Sequence, residues 1–270
     1  LFNNPATRNS IKILSSSTKR IHLNSSDMTL LDGPTIPTVP EKLLIIDTET
    51  TGLDPQKDSC LEVGAILFHI KSRSILSQQS FLLPVANNEA YKINRISADI
   101  TRLSQPWEQA LEYFIALLDS VDILVAHNAA FDRQWFGTGA LPYIGKPWLC
   151  TMEDISWPED RALRTRPSVR DLALAYEVPV WNAHRALTDC VYLAEVFRRC
   201  SDLETLILRG LEPRKLMRAL VSFEERHLAK NAGFTWNNPV HGAWSRRVSE
   251  REKTTLEFPV VPVEEEDRSF

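Results

Sequence analysis

The chain has 270 residues, with 43% hydrophobic and 24% charged side chains and a formal net charge of -4. These numbers call for a packed core in one large domain plus a small one. They exclude a chain built to coat nucleic acid non-specifically, while leaving room for a local grip on it. No apolar run approaches the length of a membrane span, so no membrane association is expected. The four cysteines, Cys60, Cys150, Cys190 and Cys200, show neither a CxxC nor a metal-ligand spacing, the pattern of free thiols in a reducing compartment such as the cytoplasm.

Residues 1–26 carry four basic side chains (Arg8, Lys12, Lys19, Arg20), no acidic one, and many serines and asparagines. That is a transit-peptide composition. Met28 follows directly, and a natural start there, preceded by upstream sequence, is the favoured expectation. Residues 29–40 are rich in Pro and Thr, so 1–40 is expected to be a disordered leader or arm. Apolar runs then predict strands over 43–49, 61–70 and 75–83, with turn residues between them. Helical spacing of Ala110, Leu111, Phe114, Ile115 and Leu118 predicts a helix over 107–119. A short buried strand at 122–126, a helix start at 129–136, and helices at 168–176 and 186–199 follow. Three early strands and then alternating helix and strand predict an α/β fold for 41–200, a mixed sheet with helices on its faces.

After residue 200 the composition shifts. Eight basic residues (Arg209, Arg214, Lys215, Arg218, Arg226, Lys230, Arg246, Arg247) stand against three acidic ones between 205 and 247. A small basic α+β module is expected over 201–248, with a short helix and a hairpin marked by Gly233 and Asn237-Asn238. From 248 onward seven acidic residues face three basic ones, so 249–270 is expected to be an acidic disordered tail.

The first strand ends in Asp47 and Glu49, two residues apart and hence on one face. Like charges there repel, and buried carboxylates are costly unless paired or metal-bound. A solvated strand end is the plain reading. Asp132, in "HNAAFDRQWF", shares a helix face with Trp135 and Phe136. Asp189 lies on the stripe of Leu193 and Val196, at the edge of an apolar face, with Thr188, Tyr192, Glu195 and Arg199 assigned to the polar face. His184, five residues earlier, belongs in the entry loop, free to reach over the site. Four carboxylates and a histidine fit one chemistry. Hard oxygen ligands suit Mg²⁺ or Mn²⁺, two such ions about 3.5–4 Å apart clamp an in-line phosphoryl displacement, and a histidine, which titrates near neutral pH, takes the proton of an attacking water.

"DTETTG" with Asp47 and Glu49, "HNAAFD" with Asp132, and "HRALTD" with His184 and Asp189 resemble the three motifs of the DEDDh 3′–5′ exonucleases. That group includes the proofreading subunit of bacterial replicative DNA polymerase and ribonuclease T. The resemblance covers 42–200. It implies a ribonuclease H-like, mixed five-stranded sheet flanked by helices, and release of nucleoside 5′-monophosphates from a 3′ end. It implies Asp47, Glu49, Asp132 and Asp189 as ligands of two divalent cations, Mg²⁺ or Mn²⁺, and His184 as general base. By the same resemblance Thr50, Thr51 and Leu53 touch the terminal nucleotide, Asn128 positions substrate or braces the site, and Ile96 packs on a base, with a plain core position as the equal alternative. The implied partner is a nucleic acid with a single-stranded 3′ end, DNA or RNA.

Three further readings stand beside it. Arg161, Arg164, Arg166 and Arg170, with Arg185, are expected to hold the backbone of the incoming strand; a solvated, partly ion-paired loop is the alternative. Residues 221–248 weakly resemble a small accessory domain of unknown role. Its Trp236, Trp244, Lys230, Arg246 and Arg247 read either as a patch for single strands or, for the tryptophans, as the module's core. "KTTLEF" (residues 253–258) is similar to the peptide by which bacterial replication proteins dock on the sliding clamp, although Lys253 stands where glutamine is expected. The alternative to an independent exonuclease is an accessory or scaffolding subunit of a polymerase or RNA-processing complex, with little activity alone.

Overall fold

The first strand, β1 (Lys42–Thr50), reads KLLIIDTET, and its two faces bury different partners. Leu43 and Ile45 belong to one core cluster, Leu44 and Ile46 to another. A strand buried on both faces is the centre of a sheet covered by helices on both sides. The structure, a computed structural model, describes residues 38–181 and 184–263. The expectations for residues 1–37, including the start at Met28, lie outside them.

Strands β2 (Cys60–His69) and β3 (Ser74–Leu82) continue antiparallel from β1. Short helices α1 (Tyr91–Asn94) and α2 (Ala98–Thr101) lead to α3 (Trp107–Asp119), then β4 (Ile123–Ala126), α4 (Ala129–Arg133) and β5 (Trp148–Cys150). Strands β4 and β5 run parallel to β1, giving the order β3-β2-β1-β4-β5. Helix α3 and the aromatic group of Phe81, Phe114, Trp135 and Phe136 cover one face. Helices α5 (Val169–Ala175), α6 (Ala186–Arg199) and α7 (Leu203–Gly210) belong to the other. This is the ribonuclease H-like mixed five-stranded sheet that the sequence resemblance implies.

The remaining chain forms a second sheet. Strand β6 (Arg214–Ala219), helix α8 (Arg226–Asn231), the hairpin β7 (Thr235–Trp236) and β8 (Trp244–Ser249), helix α9 (Glu250–Lys253) and β9 (Val260–Pro262) give the order β7-β8-β6-β9. Two domain boundaries are corrected here. The exonuclease-like domain runs past residue 200, because Leu203, Leu206 and Ile207 of α7 are buried in its core. The expected acidic tail is ordered from 249 to 263, because Ser249 and Glu252 form a capping box for α9 and β9 pairs with β6; residues 264–270 lie outside the described chain. The two sheets are tied by Arg214, its side chain 4% exposed, which reaches Asp154 of the first domain and Glu252 of α9. Among the described residues no helix is long and apolar enough to cross a membrane.

Candidate active site

Side-chain parity on β1 builds the first half of the site. Asp47 and Glu49 continue the face of Leu43 and Ile45, toward α6, whereas Thr48 continues the face of Leu44 and Ile46. Helix α4 begins just after β4, the parallel neighbour of β1, so its first turn stands beside the end of β1. Asp132, 2% exposed, reaches across: its Oδ1 accepts from the Thr48 amide at 3.0 Å and from Thr48 Oγ1 at 2.8 Å. Asp189 lies in the first turn of α6. Its Oδ2 accepts from the His184 amide at 3.3 Å. His184 itself is exposed and has a φ of 64°, the left-handed region that a histidine adopts when its neighbours hold it there.

Asp47, Glu49, Asp132, Asp189 and His184 line one cleft of about 310 Å³, with Thr50, Leu53, Ile93 and Asn94 on its wall. One ligand atom each of Glu49, His184 and Asp189 lies within 4.8 Å of the other two. Burial first, and then the neighbouring carboxylates, push Asp47 well above the usual carboxylate range. Burial, with Glu62 and Asp189 next, pushes Glu49 up to about 8. Burial likewise raises Asp132 to about 7, against the two Thr48 hydrogen bonds that pull it down, and Asp189 to about 6. Four carboxylates held together in this way leave a deficit of positive charge. Oxygen donors with one imidazole fit a hard divalent cation.

Other site residues expected from sequence divide. Leu53 is 80% exposed at the rim of the cleft. Thr50 lines it, its Oγ1 donating to the Gly52 carbonyl at 2.6 Å. Thr51 is buried and turned away, its Oγ1 accepting from the Ser59 amide at 2.9 Å. Ile96 is 3% exposed and packs with Leu61 and Val85, so it is core; Ile93, 60% exposed, is the residue of that segment at the cleft. Asn128 lines the neighbouring groove, and His127 is the residue of that motif in the cleft. His127 is held neutral: burial lowers it to about 4, its Nε2 donates to the Pro167 carbonyl at 2.9 Å, and Nδ1 lies 2.9 Å from Thr151 Oγ1.

Residues not singled out from sequence complete the frame. Thr48 is one. Asn94, 1% exposed, donates to the Thr50 carbonyl at 3.1 Å. Glu62 is another: a single carboxylate inside the apolar run "CLEVGAIL" is the signal that could have found it. Tyr192, assigned to the polar face of its helix, is fully buried, and its hydroxyl accepts from the Trp181 amide at 2.9 Å.

The arginines do not form one set. Arg164 pairs with Asp171 and Arg166 with Glu153, Arg161 lies over the Tyr176 ring, Arg170 is exposed on α5, and Arg185 holds Glu62. The basic aromatic patch is likewise divided. Trp244 packs on the module core, Trp236 is 52% exposed beside it, and Arg246 is engaged by Glu252 and the Ala232 carbonyl. The clamp-docking reading meets a direct obstacle. Phe258 is 9% exposed and packs on Phe234 at 5.3 Å, and Leu256 joins the same core.

Comparison with known proteins finds similar chains. A family model described as "Exonuclease" matches residues 44–197, and one for a domain of unknown function, DUF8626, matches 215–263. The chain is 30% identical over 168 residues to "DNA polymerase III PolC-type" of Thermotoga petrophila, covering 59% of this chain and 12% of that one. It is 30% identical over 159 residues to "DNA polymerase III subunit epsilon" of Treponema pallidum, covering 56% of this chain and 72% of the relative. The chain thus spans about an eighth of the PolC-type relative's length. A solved structure of "Exonuclease X in complex with 5' overhanging duplex DNA" aligns at a TM-score of 0.46 and 25% identity, over 62% of this chain and 99% of that one. With its family match spanning more than half of its length, the chain belongs to the DEDDh 3′–5′ exonuclease family.

Proposed function

We propose that this chain is a metal-dependent 3′–5′ exonuclease, hydrolysing the terminal phosphodiester bond of a DNA or RNA strand and releasing nucleoside 5′-monophosphates. The observation that carries the reading is the convergence of four carboxylates and the His184 imidazole, from three separated segments, in one cleft. Asp47, Glu49, Asp132 and Asp189 would hold two divalent cations, Mg²⁺ or Mn²⁺. Such cations, when bound, stabilise charge on the attacking and leaving oxygens. Thr48 keeps Asp132 turned toward β1 through two hydrogen bonds. His184, exposed at the cleft, takes the proton of the attacking water. That water adds to phosphorus, and the 3′ oxygen of the preceding nucleotide leaves. Leu53 and Ile93, both exposed at the rim, offer an apolar seat for the terminal base.

The names of the relatives, DNA polymerase III chains, favour DNA and a role beside a polymerase. The four buried, unpaired cysteines fit a reducing compartment, and the cytoplasm is the proposed location. A second reading, an accessory subunit with little activity alone, is favoured by the C-terminal module, which lies outside the exonuclease match and shares a groove of about 970 Å³ with the first domain.

The test is a time course with 5′-labelled single-stranded DNA and RNA of one sequence, in Mg²⁺, Mn²⁺ or EDTA. The expected result is a metal-dependent ladder shortening from the 3′ end, faster on DNA. A slow, distributive ladder supports the accessory reading, and no shortening of either strand contradicts the exonuclease.

A further inference from the structure

Glu62 stands directly opposite Glu49 across the β1–β2 pair, so both side chains lie on one face. A fifth carboxylate there is an obvious candidate ligand. Its hydrogen bonds say otherwise. With the side chain 2% exposed, Oε1 accepts from Ser80 Oγ at 2.9 Å and Arg185 Nη2 at 2.8 Å. Oε2 accepts from Arg185 Nε at 3.0 Å and the Ala186 amide at 3.1 Å. Each oxygen has two donors, so its acceptor capacity is filled and none is left for a cation. The guanidinium fork also offsets part of the Glu62 charge that acts on Glu49.

Three of these four donors come from the residues that join His184 to α6, and the fourth, Ser80, from β3. Arg185 follows His184 directly, and Ala186 is the first residue of α6, whose leading amides have no partner within the helix. Gly64, two residues on from Glu62, lets that turn sit against β2: a Cβ there would lie 2.4 Å from the Ala186 carbonyl carbon. The left-handed backbone of His184 is therefore held on one side by Asp189 and on the other by Arg185.

We propose that Glu62 is a positioning residue: through Arg185 and the Ala186 amide its buried carboxylate docks the start of α6 on β2, and so fixes His184 and Asp189 against Glu49. Arg185 is thereby assigned to the frame of the site and not to the phosphate backbone. The catalytic consequence rests on the exonuclease reading; the docking itself does not.

The test compares wild type with Glu62→Gln, Arg185→Gln, Arg185→Lys and the double Glu62→Gln/Arg185→Gln. Three readouts are taken: kcat and KM on single-stranded DNA, calorimetric Mn²⁺ affinity, and amide hydrogen exchange over 184–190 without metal. Both Gln variants should lower kcat and Mn²⁺ affinity by ~10–100-fold, the range for partners that orient ligands. KM should change little and exchange over 184–190 should quicken. Arg185→Lys should fall between, and the double variant should lose no more than the worse single one. Should Glu62→Gln fail to fold, Arg185→Gln, altered at a half-exposed side chain, carries the same readouts. Near-wild-type kcat and Mn²⁺ affinity with only a lowered Tm would overturn the proposal. So would an Arg185→Gln effect confined to KM and its salt dependence, or losses that multiply in the double variant. If wild type degrades neither DNA nor RNA, the exonuclease reading fails, while exchange and Mn²⁺ binding still decide on Glu62.

Discussion

Asp132 is buried, repelled by its neighbours and yet held in place, which is costly for the fold and serves a site that concentrates negative charge. Asparagine at this position keeps the oxygen that accepts from Thr48 and removes the charge. Asp132→Asn should therefore lower turnover by more than about 100-fold, beyond the range seen for residues that merely orient ligands. At pH 8 without metal it should also raise Tm, because the charge it removes is disfavoured by burial. Turnover assays beside thermal unfolding in EDTA check both; a lowered Tm would contradict the electrostatic account. The carboxylates at the edges of apolar elements, Asp47, Glu49, Asp132 and Asp189, and His184 in its entry loop were legible in the sequence as candidates, and the structure brings the five into one cleft. Residues whose role rests on which neighbour they meet were not. Ile93 and Ile96 lie three apart in one apolar segment, and only the packing of Leu61 and Val85 decides that Ile96 goes inside. Glu62 and Arg185, far apart in sequence, have no local signal of their pairing.

Strands β1 to β3 and helices α3 and α6 stand where apolar spacing placed them, whereas α7, with Leu203, Leu206 and Ile207 on its buried face, was assigned to the basic module that follows. The three-residue β5 is too short to carry a period, and β9 escaped because its neighbours are acidic and its stability comes from pairing with β6. Acidic composition alone thus misread 249–263. Its order is set by the α9 capping box and by Phe258, which fills the module core against Phe234. Phe258→Ala should destabilise the module by about 3–5 kcal/mol, the cost of emptying a buried aromatic site. Protease sensitivity should then rise within 214–263 while the first domain stays resistant. A stable Phe258→Ala variant would return that side chain to the docking role its packing argues against.

The whole molecule should respond to pH through its buried carboxylates. A group whose folded pKa is raised stabilises the fold below its unfolded value and loses that contribution as pH rises through the folded value. Glu49 is raised from 4.5 to about 8 and Asp132 from 3.8 to about 7, so both favour unfolding as pH climbs through that range. His127, lowered from 6.5 to about 4, acts in the opposite sense below 6.5, and the ion-paired carboxylates Glu204, Glu212 and Glu252 act below 4.5. Between pH 6.5 and 8.5 the site carboxylates therefore govern. In EDTA the Tm should fall across this window. Added Mg²⁺, which binds the deprotonated carboxylates, should raise Tm more at pH 8.5 than at 6.5. A Tm that rises with pH in EDTA, or an Mg²⁺ shift equal at both ends, would contradict the charge balance assigned to the cleft.

The central claim is that hydrolysis from a 3′ end takes place at this cleft, and the most direct measurement follows a 5′-labelled single strand with Mg²⁺, wild type beside Asp47→Ala and His184→Ala. Stepwise shortening from the 3′ end with release of nucleoside 5′-monophosphates, abolished in both variants while their far-ultraviolet circular dichroism stays that of wild type, is the predicted result. Shortening that persists in either variant, or cleavage that begins inside the strand, would contradict the account.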